Sequence, residues 1–429
     1  MPHQTAVALP ASPYTAGQLD KRFACAGKTQ VYFAGSTYSI ANSVAIDGQG
    51  RVLVAAKVGT RSGHYCGLAR LLPDGSADLS FGTHGSVIGP FQRGHEAMAG
   101  SVQVLANGNI LMAGLHYEDA HRTLPALAQF DEQGRPVHGF GDNGYCVIRL
   151  PGNLSQGRRD TSVVFGRTGA ETCAVKVQAD GAILLLANHY FEQADHAGLL
   201  IRLTAEGELD TTFNGRGFVM VRHLLMNSWL SSLMLQADGR IMVGGSISFP
   251  EQALLARYLP DGSLDERFAV DGLMTFSVQG KSAHISQIVQ LGNGDLQCYG
   301  SSHEPMHCLA LKVHSNGRPD IHCNNGQPHL LHIGRNASQW TAAQLHPDGR
   351  VLAVGGTLGG VEPGFLLARY LPGGQPDPGF AEGTCWVRNR FGRSLDMATS
   401  VAIQTDGGIV VGGYSLDGNY RAVVVRYLG

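Results

Sequence analysis

The chain has 429 residues, a formal net charge of −2 and only 15% charged residues. It contains 58 glycines, roughly twice the average usage of about 7%. No run of basic residues could neutralise several phosphates, and no stretch approaches the roughly 18 apolar residues of a membrane span, so we expect neither a nucleic-acid partner nor a spanning helix.

Residues 1–15 (MPHQTAVALPASPYT) are predicted to form an extended N-terminal segment. They lack the basic cluster and apolar run of a secretory signal, which favours a cytoplasmic protein or export by another route. Residues 16–23 (AGQLDKRF) repeat the later string DGSLDERF at 261–268, but no strand phrase precedes them. The chain therefore opens on half of a repeat unit.

A hairpin phrase follows in seven copies, of which LMLQADGRIMVGG (233–245) and VAIQTDGGIVVGG (401–413) are clear examples. Each copy alternates apolar and polar residues around a turn that contains glycine, which predicts two paired antiparallel strands. The GG dipeptide after the second strand indicates two backbones in close approach. The turn glycines are Gly50, Gly108, Gly181, Gly239, Gly294, Gly349 and Gly407.

A second phrase alternates with the first, as in LARLLPDGSADLSF (68–81), LARYLPDGSLDERF (255–268) and LARYLPGGQPDPGF (367–380). It is predicted to form a third strand and a turn, followed by a Leu-Asp-x-x-Phe string and usually by a short fourth strand. Four strands in about 57 residues are typical of a β-propeller blade. We predict an all-β, seven-bladed β-propeller that forms one domain over residues 16–429.

The last copy ends at Gly429, before its Leu-Asp-x-x-Phe string, and that missing half stands at residues 16–23. We predict a closed ring in which residues 16 to about 35 pair with the C-terminal blade and complete it. Closure removes the exposed strand edges of an open array.

A cation and an aspartate eight residues apart recur in the second phrase. Where Gln129 replaces the cation, Val137 replaces the aspartate, as expected for a partly buried pair in which one charge without the other is costly. We therefore predict structural ion pairs, with repeated anion sites as the alternative. The pairs are Arg70/Asp78, Arg202/Asp210, Arg257/Asp265, Lys312/Asp320 and Arg369/Asp377, and Arg426/Asp20 across the closure.

The combination of these two phrases, LARYxxDGxLDxxF and QxDGRIxVGG, resembles the delta-60 repeat family over roughly residues 16–429. The resemblance implies a bacterial β-propeller and carries over no catalytic residue. The unit at 127–140 departs from the pattern at its ion pair, and the unit at 310–323 departs at its final residue, Cys323.

In an antiparallel four-stranded blade, the second and fourth connections lie on one side, here named the variable face. The first and third, which carry the repeated turns, lie on the other side, here named the turn face. Functional residues concentrate on variable loops of a rigid scaffold, so the variable face is the predicted binding surface. Its longest loop, 150–172, is either functional or disordered. The candidate ligand-binding residues are Met98, Glu171, Trp229, His284, Met397, Trp340, His116 and His189.

Other motifs are less informative. A tryptophan near the channel mouth could stack on a ligand or pack between blades. The HEPMH string at 303–307 lies in a predicted loop with Pro305, which argues against a helical zinc site. We expect no metal and no cofactor, although several histidines on the variable face leave a transition-metal site open. The eight cysteines are expected to be free thiols, with Cys298 and Cys308 the first pair to test.

These observations favour a non-enzymatic propeller that presents its variable face to a protein or a glycan. The alternative is an enzyme, a hydrolase or lyase, with His, Asp and Glu from several blades at the mouth of the central channel. A structural component of a larger assembly is a third possibility. The sequence leaves the oligomeric state open.

Overall fold

The computed structural model describes residues 15–119, 123–150, 173–192, 195–223, 226–248, 251–359 and 362–429. Seven four-stranded antiparallel sheets make up these residues, and the all-β, seven-bladed propeller predicted from the sequence is confirmed. No helix within these ranges is long and apolar enough to cross a membrane.

Each of the first three blades uses four consecutive strands, numbered from the central channel outwards. Blade 1 contains β2 (Tyr38–Ile46), β3 (Val52–Thr60), β4 (Gly63–Leu71) and β5 (Ser86–Gly89). Blade 2 contains β6 (Glu96–Val104), β7 (Ile110–Tyr117), β8 (Thr123–Phe130) and β9 (Tyr145–Val147). Blade 3 contains β10 (Cys173–Val177), β11 (Ile183–Glu192), β12 (Asp195–Leu203) and β13 (Phe218–Val221).

The next three blades follow the same plan. Blade 4 contains β14 (Ser228–Leu235), β15 (Ile241–Ile247), β16 (Gln252–Tyr258) and β17 (Leu273–Phe276). Blade 5 contains β18 (Ala283–Gln290), β19 (Leu296–Ser302), β20 (His307–Val313) and β21 (His329–Leu331). Blade 6 contains β22 (Ala337–Leu345), β23 (Val351–Leu358), β24 (Gly364–Tyr370) and β25 (Trp386–Asn389). Short 3-10 turns lie at Phe213–Gly215, Asn324–Gly326 and Ala381–Gly383.

Blade 7 combines strands from both ends of the chain. It contains β26 (Leu395–Ile403), β27 (Ile409–Asp417) and β28 (Asn419–Tyr427), and its outer strand is β1 (Lys28–Gln30). Before β1, the Asp20 N–H donates a hydrogen bond to the Arg426 carbonyl at 2.9 Å. The Arg426 guanidinium contacts the Asp20 carboxylate, which is only 2% exposed.

Hydrogen bonds between neighbouring inner strands hold the blades around the channel. The first strand of six described blades carries one residue that breaks its register with the second strand. The Asn42 amide donates to the Ala99 carbonyl at 2.7 Å, and the Thr399 hydroxyl donates to the Ala41 carbonyl at 2.8 Å. The bulges at Asn42 and Thr399 therefore join successive blades as well as bend the strand. The six bulged residues are Asn42, Gly100, Ser231, Ser286, Thr341 and Thr399.

The ion pairs lie where each blade meets the turn of the next. Arg257 Nε is 2.7 Å from Asp265 Oδ2, and its Nη1 donates to the Ser315 carbonyl of blade 5 at 2.6 Å. The same guanidinium lies over the Phe268 ring at 4.8 Å, so a charge pair and a cation–π contact share one buried cation. The equivalent distances are 2.7 Å for Arg70–Asp78, 2.6 Å for Arg202–Asp210, 2.9 Å for Lys312–Asp320 and 2.7 Å for Arg369–Asp377.

We predict that Asp265→Val alone lowers the free energy of unfolding by about 3–5 kcal/mol, because it leaves the buried Arg257 without a counter-charge. The double variant Arg257→Gln/Asp265→Val reproduces the pair that blade 2 carries naturally and should be more stable than the single variant. Urea unfolding followed by tryptophan fluorescence measures both. A single variant as stable as the double would contradict the pairing.

Candidate functional site

The buried sulfur and indole side chains among the predicted ligand-binding residues are not available to a ligand. Met98 packs with Leu115 and Tyr117, and Met397 is equally enclosed at 3% exposure. Trp340 is 0% exposed and meets Tyr370 edge to face, with ring centroids 6.4 Å apart. These three are corrected to packing residues, because each side chain is enclosed within the propeller. Glu171 and the loop 150–172, except Leu150, lie outside the described residues.

His116 and His189 are also enclosed. Burial lowers the pKa of each imidazole to about 4, and for His116 the nearby His95 and Arg149 lower it further against the opposing effect of Glu118. Both rings are therefore neutral at pH 7. Within the part of the chain that the structure describes, the His116 nitrogens have no hydrogen-bond partner. These histidines cannot act as exposed cations, which corrects their place among the direct ligand contacts.

His284 is tied into the boundary between blades 4 and 5. Its Nε2 lies 2.9 Å from the Ser231 hydroxyl and its Nδ1 lies 3.2 Å from the Ser246 hydroxyl. These contacts fix the plane of the ring. Of the predicted set, His284 and Trp229 are the two that keep partly exposed side chains within the described residues.

Trp229 lies at the start of β14 and stacks on His196 of blade 3, with ring centroids 4.1 Å apart and planes inclined by 27°. Its backbone is held from two sides. A Cβ at Gly245 would lie 1.8 Å from the Trp229 carbonyl oxygen, so only glycine fits there. The Asn188 amide of blade 3 donates to the Leu230 carbonyl and accepts from the Leu230 N–H, both at 2.8 Å. A half-exposed indole is thereby positioned on the variable face.

The sequence did not single out Tyr38 and His64, which form a hydrogen-bonded pair on blade 1. Tyr38 Oη lies 2.7 Å from His64 Nδ1. The backbone N–H of His64 donates to Glu96 Oε1 at 3.0 Å. The strand register places Tyr38, Gly59 and His64 side by side. Because a Cβ at Gly59 would lie 2.1 Å from the Tyr38 ring, glycine opens the space for this contact.

Further ring pairs lie at the variable-face ends of other blades. Their centroid separations are 4.7 Å for His95–His116, 4.1 Å for His307–His332, 5.1 Å for Phe365–Phe391 and 5.6 Å for Tyr414–Tyr420.

The strongly exposed apolar side chains divide between the two faces. Tyr32, in the loop from β1 to β2 on the variable face, is 75% exposed. The exposed aliphatic residues of the described ranges lie in third connections on the turn face: Leu72, Leu79, Val270 and Ile321. The variable face therefore offers rings with polar partners, while the turn face offers isolated aliphatic groups.

A group of possible metal ligands on the turn face is already paired with a lysine. Asp295, His314 and Asp320 lie close enough to share an ion. The Lys312 ammonium, however, lies 2.9 Å from Asp320 and 3.8 Å from Asp295. A bound cation would have to displace this lysine, so the cluster is an ion-pair network.

All eight cysteines are free thiols. Cys298 packs towards blade 4 and Cys308 towards blade 6. The two therefore lie on opposite faces of one sheet, which prevents them from pairing.

Three segments of the chain, 236–268, 346–380 and 404–428, match the family model described as "Domain of unknown function (DUF5122) beta-propeller". The match supports a β-propeller repeat family, while the delta-60 assignment stays a prediction. No curated protein sequence matches the chain.

Several solved structures align with this one over nearly its full length. A protein of unknown function from Dyadobacter fermentans DSM 18053 has a TM-score of 0.51 and 10% identity, over 94% of this chain and 98% of that one. A PL25 ulvan lyase bound to -[GlcA(1-4)Rha3S]- has a TM-score of 0.47 and 10% identity, over 93% and 96%. Sqt1 from Chaetomium thermophilum has a TM-score of 0.47 and 12% identity, over 93% and 99%. At 10% identity, the likeness to the Dyadobacter fermentans protein shows the fold alone.

Proposed function

We propose that the protein is a carbohydrate-binding β-propeller whose variable face holds a glycan on exposed aromatic rings. The observation that carries this proposal is the division of exposed side chains. The Tyr32 ring is strongly exposed and the Trp229 ring is partly exposed on the variable face, whereas the strongly exposed aliphatic residues among the described ranges lie on the turn face.

Sugar rings present both apolar C–H surfaces and hydroxyl groups. A tyrosine or tryptophan ring offers the matching apolar surface together with a polar group. Hydrogen-bonding groups lie near the rings of the variable face, such as His284 with Ser231 and Ser246, and His64 with Tyr38. A protein-binding surface would instead favour a contiguous apolar patch, which is why a glycan is preferred over a protein ligand.

The test is binding to a panel of neutral, uronic-acid and sulfated polysaccharides, measured by affinity electrophoresis and then by calorimetry. We expect Tyr32→Ala and Trp229→Ala each to weaken binding about tenfold, since stacking contributes about 1–2 kcal/mol. Leu79→Ala, an exposed site on the turn face, is the matched control and should bind as the wild type does. Binding that is unaffected by either aromatic substitution would refute the proposal. Binding to a protein partner with none of the glycans would favour the alternative ligand.

A second candidate function, cleavage of the bound polysaccharide, is favoured by the Tyr38–His64 contact. A phenol and an imidazole 2.7 Å apart can pass a proton between them, as general acid–base catalysis by a hydrolase or lyase requires. Tyr38→Phe separates the two functions, because it removes the proton but keeps the ring. If polysaccharide is cleaved, this variant should still bind it through Tyr32 and Trp229 but should fail to release new reducing ends or unsaturated uronate. If the wild type releases neither product, the protein binds without cleaving.

A further inference from the structure

The HEPMH string at 303–307 has a structural role that its motif does not suggest. It runs from the end of β19 into the start of β20 and contains no helix. Its two histidines therefore do not share a helix face, as a zinc site of this motif requires. His303 is tied to the preceding blade connection, since its N–H donates to the Ser282 carbonyl at 2.8 Å. His307 has a different neighbour.

His307 lies across the sheet from His332. Cys308 pairs with Leu331 in the antiparallel ladder between β20 and β21, so the next step of the register sets His307 opposite His332. Their ring centroids are 4.1 Å apart, with planes inclined by 64°. The two imidazoles are therefore in direct contact, edge to face, across the ladder.

The chemistry of the pair suits a metal ion. His307 Nδ1 is buried and has no hydrogen-bond partner among the described residues, which makes it costly to leave unsatisfied. Burial and the adjacent His332 lower the pKa of His307, so its ring is neutral at pH 7, the form that ligates metals. His332 is exposed, so an ion can reach the pair from solvent.

We infer that His307 and His332 together bind one divalent transition-metal ion on the variable face, with water completing its coordination. Imidazole nitrogens prefer zinc, copper and nickel, whereas magnesium and calcium prefer oxygen ligands. The inference is independent of glycan binding.

The test is a titration of the full chain with Cu²⁺, followed by calorimetry and by electron paramagnetic resonance. We expect one ion with two nitrogen ligands. His332→Gln should weaken binding by at least about tenfold, since one of the two protein ligands is lost. Because His332 is exposed, this variant should melt as the wild type does without metal. His307→Gln should weaken binding to a similar extent.

The matched control is His322→Gln, an exposed histidine on the turn face, which should bind Cu²⁺ as the wild type does. Wild-type affinity in His332→Gln would overturn the inference. An equal loss in His322→Gln would also overturn it, because it would show adventitious binding to surface histidines. Failure of polysaccharide binding would leave this result unchanged.

Discussion

A chain that lacks residues 1–30 is expected to lose the cooperative fold of the whole propeller. The deletion removes β1, which leaves one edge of β28 without its partner. It also removes Asp20, one of the two carboxylates that contact the buried Arg426, and breaking such a buried pair costs up to about 3–5 kcal/mol. An unpaired strand edge favours pairing with other chains, so we expect aggregation.

The deletion also removes packing on both sides of blade 7, which increases the loss of stability. Phe23 is 1% exposed and packs against Gly75 of blade 1, while Gly17 packs against Phe380 of blade 6. Loss of the Phe23 contacts adds about 3–5 kcal/mol. The sum reaches the total stability of about 5–15 kcal/mol that is usual for a protein. The N-terminal residues thus connect two blades as well as complete one.

Circular dichroism melting and size-exclusion chromatography measure this effect. The control is a chain that begins at residue 15, which keeps each of these contacts and should melt cooperatively. A chain that begins at residue 31, yet elutes without aggregates and melts at the wild-type temperature, would show that ring closure contributes little to stability.

The blades could be predicted from the sequence because their defining residues recur at fixed spacing. Asp265 follows Arg257 by eight residues, and its N–H donates back to the Arg257 carbonyl at 2.9 Å. The same local loop recurs in other blades, so the eight-residue spacing predicts the same loop geometry in each of them. In blade 5, Lys312 replaces the arginine and Cys323 replaces the phenylalanine, as expected when the guanidinium that stacks on the ring is absent.

The candidate site could be predicted only in part, because side-chain direction on the variable face depends on register. Trp229 pairs with Ser246, while Trp340 pairs with Gly355, the equivalent of Gly245 in the hairpin phrase. The two tryptophans are therefore offset by one residue, and one residue moves a side chain to the other side of a strand. The Tyr38–His64 contact depends on a register across three strands, which no spacing in the sequence shows.

Acidification from pH 7 to about 5 is expected to destabilise the protein before its carboxylates are protonated. Burial lowers the pKa of His116 and of His189 to about 4, whereas an imidazole in the unfolded chain has a pKa near 6.5. Between these values the unfolded chain binds protons that the folded chain does not. The stability that the two neutral imidazoles contribute is therefore complete above pH 6.5 and is lost as the pH falls towards 4.

Each buried imidazole contributes a slope of about 1.4 kcal/mol per pH unit, so the two together remove about 4 kcal/mol by pH 5. The carboxylates affect stability in a lower pH range. Although burial raises the pKa of Asp78, hydrogen bonds from Ser80 and Arg70 hold it below its ordinary value. Its contribution is lost only below about pH 4.

Urea unfolding at about pH 7.5, 6 and 5 separates the effect of the imidazoles from that of the carboxylates. These values span the imidazole range at intervals of about one unit. His116→Leu should reduce the dependence on pH, since the leucine binds no proton. His138→Gln is the control, because His138 is exposed on the turn face and should leave the dependence unchanged. A midpoint that does not move between pH 7.5 and 5 would mean that both imidazoles are protonated within the folded propeller. The variable face would then carry positive charge that its burial pattern argues against.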